Sequence, residues 1–338
     1  MKYIVFDLEW NQCPEGREKQ NPALPFEIIE IGAIRLTQDL KPDGEFSALI
    51  RPKVYHALHY QVRRMLSYTM KDLKKGQPFP EVCREFLAFA GEDPTFVTWG
   101  PGDLTELERN MAFYRIPNRF PMPFLYLDAQ KLYSLQYQDG KKRSSLENAF
   151  RDLGLDKMEG HFHRAIADAR YTADIFQTID LDRFGRYRSV DLYRIPDSRG
   201  KEFRLNFGTY EKYVTRGFTE RENAMKNKDL HQARCYICGK PLAKKIRWFV
   251  DNQGHAYGLF SCPEHGLIKG RFRVRQAPGG LYYGIRILKQ TDEKGAAMIR
   301  LRKEKEAERM RRKAEEAKKE AAKKEDGRKS GRQAEHIT

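Results

Sequence analysis

Apolar positions crowd both faces of the first segment. In Tyr3-Ile4-Val5-Phe6-Asp7-Leu8-Glu9-Trp10, alternation puts Tyr3 and Val5 on one face with Asp7 and Glu9, and Ile4, Phe6, Leu8 and Trp10 on the other. A strand apolar on both sides belongs inside an α/β sheet covered by helices. Glu27–Leu36 predicts a second strand and Glu45–Ile50 a third, closed by Arg51-Pro52. Helical spacing follows at Val82, Phe86, Leu87 and Phe89, then a short strand at Thr95–Trp99. A helix is predicted over Asp103–Tyr114, a strand over Phe124–Ala129, a helix over Ser145–Leu153, and a last helix over Arg164–Ile179. Three strands followed by helix–strand alternation imply a mixed sheet flanked by helices.

The pattern changes after residue 181. Residues 182–230 read as a basic connecting segment with a turn at Pro196–Gly200 and a helical piece near 211–229. Residues 231–290 are rich in short strands and glycines. From 291 to 338 the chain is mostly Ala, Glu, Lys and Arg, which predicts a solvated helix laced with i,i+4 pairs and ending in disorder at Gly327. The expected domains are therefore 1–181, 182–230, 231–290 and 291–338.

Charge sharpens this division. The net charge of +16 splits into −3 over residues 1–182, +14 over 183–290 and +5 over the remainder. The basic middle region points to a polyanionic partner, with nucleic acid leading. No run approaches the roughly 20 apolar residues of a membrane span. A strand that begins almost at the N-terminus leaves no room for a signal peptide, so no membrane partner and a cytoplasmic location are expected.

Two adjacent carboxylates on a buried strand repel each other and are costly to desolvate. Further acids sit at later element ends: Asp103 after Gly100-Pro101-Gly102, and Asp168 in the last helix, five residues after His163. Strand ends and helix starts converge on one crevice in α/β sheets. Four carboxylates and a histidine are what a two-metal phosphoryl site requires, and Mg²⁺ or Mn²⁺ suits such oxygen ligands. Five helical residues would turn His163 about 140° from Asp168, so His163 is placed before the helix, on a mobile segment marked by Gly160, as a base near neutral pH. Asp103-x-x-Glu106 also has capping-box form. Glu27 and Glu30 are expected to serve strand structure or edge hydrogen bonding. His161 carries no assigned role.

Phe-Asp-Leu-Glu, Glu-Ile-Ile-Glu-Ile-Gly-Ala, Trp-Gly-x-x-Asp-Leu and His-Arg-Ala-x-x-Asp-Ala, in this order, resemble the DEDDh 3′–5′ exonucleases. The Trp-Gly-x-x-Asp-Leu form is most similar to the branch holding the enhanced-RNAi-type and sporulation-inhibitor-like enzymes. The resemblance covers about residues 1–180. It implies a ribonuclease-H-like fold, nucleoside 5′-monophosphates released from a 3′ end, Asp7, Glu9, Asp103 and Asp168 as metal ligands, and His163 as general base. Trp10 stands where many members carry Thr or Ser, beside the 3′-terminal nucleotide. RNA is the favoured substrate and single-stranded DNA the alternative.

Five cysteines, three of them close together, exclude a secreted disulfide framework. Cys235-x2-Cys238 and Cys262-x2-His265, each followed by glycine, match a closed structural Zn²⁺ site of zinc-ribbon type, with His255 a turn residue outside it. Around them Lys244, Lys245, Arg247, Lys269, Arg271, Arg273, Arg275 and Arg286 are interleaved with Trp248, Phe249, Phe272, Tyr282 and Tyr283, a pattern that suits backbone tracking and base stacking. The expected partner is single-stranded nucleic acid with a free 3′ end. The rival expectations are a non-catalytic nucleic-acid adaptor on the same fold and a regulator whose basic region binds an acidic protein.

Overall fold

The computed structural model describes residues 2–66, 68–155 and 163–334, with side chains through 320. The chain divides into two compact units, Met1–Arg194 and Ile195–Thr338.

The first unit contains β1 (Lys2–Gln12), β2 (Phe26–Leu36), β3 (Pro42–Leu49), α1 (Tyr60–Met65), α2 (Met70–Leu73), α3 (Phe79–Ala90), β4 (Pro94–Thr98), α4 (Gly102–Phe113), β5 (Leu125–Asp128), α5 (Ala129–Tyr137), α6 (Leu146–Asp152), α7 (Ala165–Gln177), α8 (Leu181–Phe184) and β6 (Ser189–Val190). The strands order as β3-β2-β1-β4-β5-β6. β1, β4 and β5 run parallel, and β3, β2 and β6 antiparallel to their neighbours. β1 lies inside the sheet and is covered on both faces, as its pattern predicts. Tyr3 and Val5 pack with Phe150, Tyr171 and Phe176 from α6 and α7. Ile4, Phe6 and Leu8 pack with Phe86 from α3 and with Leu104 and Leu107 from α4.

Gly32 decides how closely α7 approaches the sheet. It pairs with Asp7 across β1 and β2, and a Cβ there would lie 2.2 Å from backbone atoms of Ala165 and Ile166. Only a residue without a side chain lets the first turn of α7 rest on β2 opposite Asp7.

The second unit contains β7 (Phe203–Asn206), β8 (Tyr210–Val214), α9 (Arg221–Met225), α10 (Lys228–His231), β9 (Ala243–Val250), β10 (His255–Cys262), β11 (Gly266–Gln276), β12 (Tyr282–Gln290) and α11 (Glu293–Ala334). Its six strands form an antiparallel sheet in the order β7-β8-β12-β11-β10-β9. Residues 182–230 are shared between the two units, and β7 and β8 extend the sheet that the later strands build. The helix expected near 211–229 is corrected: 211–214 belong to β8, hydrogen-bonded between β7 and β12, and helix is confined to α9 and α10. Pairing on both sides outweighs weak local preference there. The tail also differs from expectation. Ala296 and Ile299 are buried against Ile246, Tyr257 and Leu259, so α11 begins as part of this unit's core, and it stays helical through Gly327 to Ala334.

Candidate active site

The four carboxylates named above arrive from three elements. Asp7 and Glu9 project from β1, with Glu9 paired to Glu30 on β2. Asp103 sits in the first turn of α4 and accepts a hydrogen bond from the Leu8 backbone N–H at 3.2 Å. The capping-box expectation for Asp103 does not hold: α4 starts at Gly102 and no side chain caps it, because the Asp103 carboxylate turns to β1 instead. Asp168 lies in the first turn of α7, and its Oδ2 accepts from the His163 backbone N–H at 3.2 Å. His163 precedes the helix with φ of 71°. That left-handed backbone is uncommon for a residue with a side chain and marks a constrained position. Gly160 and His161 lie outside the described residues. Ligand atoms of Glu9, His163 and Asp168 all fall within 4.8 Å of one another.

Burial and mutual repulsion set the electrostatics. Burial, then the charges of Asp103, Asp168, Glu9 and Glu30, push Asp7 well above the usual carboxylate range. Burial and Asp168, Glu30 and Asp103 raise Glu9 to about 8. Burial raises Asp103 to about 7 against the hydrogen bonds it accepts from backbone, and Asp168 to about 6 against that from His163. Asp168 Oδ1 is buried without a hydrogen-bond partner among the described residues. Acids held this way, one of them with an orphaned oxygen, form a donor set that fits hard divalent cations.

Glu30 was expected to serve the strand; it does more. Fully buried, it accepts from the Arg164 guanidinium at 3.0 Å, the Tyr68 hydroxyl at 3.2 Å and the Ala165 backbone N–H at 3.2 Å. Arg164 also lies over the Tyr68 ring. Glu30 thereby pins the start of α7, and with it His163 and Asp168, to β2. The available signal was a carboxylate inside an otherwise apolar strand, which requires a cation, and the cation adjoins His163 in sequence. Glu27 fits the hydrogen-bonding expectation, receiving backbone N–H groups of Lys53, Val54 and Tyr55. Trp10 packs against Phe26, with its ring edge facing Gly102 beside Asp103.

In the second unit, ligand atoms of Cys235, Cys238, Cys262 and His265 lie within 4.8 Å of one another. His265 Nδ1 is 3.6 Å from both Cys235 Sγ and Cys262 Sγ. Gly239 and Gly266 follow the two ligand pairs with φ of 73° and 71°, turning the chain back after each. Burial raises the Cys262 thiol, but hydrogen bonds from Glu264 and His265 outweigh it and bring it to about 6. Three sulfurs and an imidazole at these separations fit a tetrahedral zinc ion. His255 stands apart, beside Asp251.

The basic residues expected around this cluster do not form one surface. Lys244 aligns with Phe260, whereas Lys245 borders a groove with Ile246 and with Arg300 and Lys303 of α11. Arg247 lies two residues beyond Lys245 on β9, and Arg271, Arg273 and Arg275 share one face of β11. Two parts of that expectation are corrected: Arg286 is fully buried and paired with Glu211, and of the aromatics Phe272 and Tyr283 are buried while Trp248 packs against Phe260 and Phe272. Trp248, Phe260 and Phe272 pack in the core of this sheet with Leu230, Ile268 and Leu288.

The family model described as Exonuclease (RNase_T) matches residues 4–176, and the chain belongs to this exonuclease family. The first unit has the ribonuclease-H-like mixed sheet of these nucleases. Among solved structures, the nuclease domain of 3′hExo, a DEDDh family member bound to rAMP, is 19% identical over 56% of this chain and 96% of its own, with a TM-score of 0.47. Cell-death related nuclease 4 is 16% identical over 56% of this chain and 65% of its own, TM-score 0.45. E. coli exonuclease I with a dA16 oligonucleotide is 15% identical over 70% of this chain and 60% of its own, TM-score 0.44. None of the curated proteins matches the chain significantly. Among the described residues, no helix is long and apolar enough to cross a membrane.

Proposed function

We propose that the protein is a metal-dependent 3′–5′ exonuclease that shortens single-stranded nucleic acid, RNA in preference to DNA, to nucleoside 5′-monophosphates. Asp7, Glu9, Asp103 and Asp168 hold two Mg²⁺ or Mn²⁺ ions. Bound there, the ions supply charge neutralisation and a water of lowered pKa in an in-line displacement. His163 accepts the proton of the attacking water, and its place next to Asp168 keeps the imidazole at the reacting phosphate. Glu30 and Arg164 fix the helix that carries both residues. Cys235, Cys238, Cys262 and His265 hold a structural zinc in a zinc-ribbon-like module, and the second unit helps hold the substrate.

What carries the proposal is the convergence of Glu9, His163 and Asp168 within 4.8 Å, beside Asp7 and Asp103, inside the segment that matches the exonuclease family. Product analysis tests it. Single-stranded RNA and DNA incubated with the protein and Mg²⁺ or Mn²⁺ should release nucleoside 5′-monophosphates. Release of 3′-monophosphates or of oligonucleotides would overturn it.

A further inference from the structure

β11 carries a line of cationic side chains, three of them arginines. Lys269, Arg271, Arg273 and Arg275 alternate along one face, and neighbouring members stand roughly 6.7 Å apart, two residues of an extended strand. Arg271 and Arg275 are exposed and Arg273 is half-buried. None of the three arginines forms an ion pair among the described residues. Their cross-strand neighbours are His255 and Tyr257 on β10 and Tyr283, Ile285 and Ile287 on β12, with no carboxylate among them. Burial and the adjacent Arg275 and Arg271 push Arg273 down to about 10, a measure of how poorly this charge is compensated. Elsewhere the unit compensates its buried arginine: Arg286 meets Glu211 at 2.9 Å and two backbone carbonyls.

We infer that Arg271, Arg273 and Arg275 form a phosphate track along β11 that binds the backbone of single-stranded nucleic acid. The inference deepens the proposed function and rests on its reading that nucleic acid is the substrate. A repeat of two residues per guanidinium suits consecutive phosphates of an extended strand. The two tyrosines that flank the track, Tyr257 and Tyr283, are buried and are not offered to bases. Binding is therefore electrostatic, indifferent to base sequence and steeply salt-dependent. An acidic protein would also meet the charge, but the even spacing along a straight strand matches a polymer of evenly spaced anions better.

The test uses the full chain in a Glu9→Gln background that blocks cleavage. Anisotropy of a labelled single strand of about 20 nucleotides, longer than a typical single-strand site, is followed against salt. Each phosphate contact adds about 0.7 to the slope of log K against log salt, so R271A/R273A/R275A should lose about 2. R271K/R273K/R275K should keep most of the slope, and R84A/R119A/K141A, which removes three exposed charges elsewhere, should keep all of it. Should the triple alanine variant fail to fold, single Arg→Gln variants each read a loss of about 0.7. Equal slopes for R271A/R273A/R275A and its parent would overturn the track, as would an absence of oligonucleotide binding by the parent. A lost slope in a protein that cleaves nothing would uphold the track and overturn the exonuclease.

Discussion

Raising the pH should destabilise the metal-free acidic site, and Mg²⁺ should restore the stability lost. Asp168 is raised from the ordinary 3.8 to about 6 in the folded protein, chiefly by burial. A carboxyl with a raised folded pKa holds its proton more tightly when folded. Its contribution is fully present below the unfolded pKa and is lost as pH rises through the folded one. For Asp168 the window runs from 3.8 to about 6, and the shift corresponds to about 3 kcal/mol. Glu9, raised to about 8, extends the loss to higher pH. The two do not add, because each charge raises the other. Mg²⁺ competes with these protons, so its stabilisation should be small near pH 5 and grow to about 2–3 kcal/mol near pH 8 at saturating concentration. Urea denaturation at both pH values, with and without MgCl2, measures this directly. Glu108, raised to about 9 mainly by burial, gives a slope of the same sign that Mg²⁺ leaves untouched, so the readout is the Mg²⁺ difference. Asp168→Asn should shrink that difference. A Mg²⁺ effect equal at the two pH values, or larger near pH 5, would refute the assignment of these acids as a cation site.

Gly32→Ala should force α7 off β2, costing about 1–3 kcal/mol and, through a misplacement of about 1 Å at Asp168, on the order of 10²-fold in activity; unchanged kinetics would contradict the packing described. Arg164→Ala strands the Glu30 charge in the core. Breaking a buried pair costs roughly 3–5 kcal/mol, and the partial exposure of Arg164 reduces this to about 2. Urea melts should show the loss, and Glu30→Gln added to Arg164→Ala should recover part of it. Cys262→Ser should lose bound zinc in metal analysis and lower the second unit's melting temperature while dinucleotide cleavage persists; a wild-type protein purified without zinc would contradict that site.

Much of the acidic site was legible because each acid breaks a strong pattern. Asp7 and Glu9 interrupt a strand otherwise apolar on both faces, and Asp103 and Asp168 open helices whose remaining turns are amphipathic. Less legible was what holds these acids in place. Glu30 and Arg164 are 134 residues apart and meet only once the sheet has formed. Gly32 reads as an ordinary strand glycine until α7 is laid across it. In the second unit, β7 and β8 are four and five residues long, and partners later in the chain decide their state. The role of α11 was hidden because its buried apolar residues are Ala296 and Ile299, while its larger apolar residues Met298, Leu301 and Met310 are exposed among charged ones. The basic–aromatic alternation of 244–286 was visible, but alternation alone does not say which face is core.

The most direct test of the central claim is one end-labelling experiment. A 5′-labelled single strand of RNA, and one of DNA, is incubated with Mg²⁺ or Mn²⁺ and the wild-type protein, Asp7→Ala or His163→Ala. A metal-dependent ladder shortening from the 3′ end is expected, abolished by Asp7→Ala and slowed about 10²–10⁴-fold by His163→Ala. Full-length strands in every lane, or immediate release of the labelled 5′ nucleotide, would contradict it.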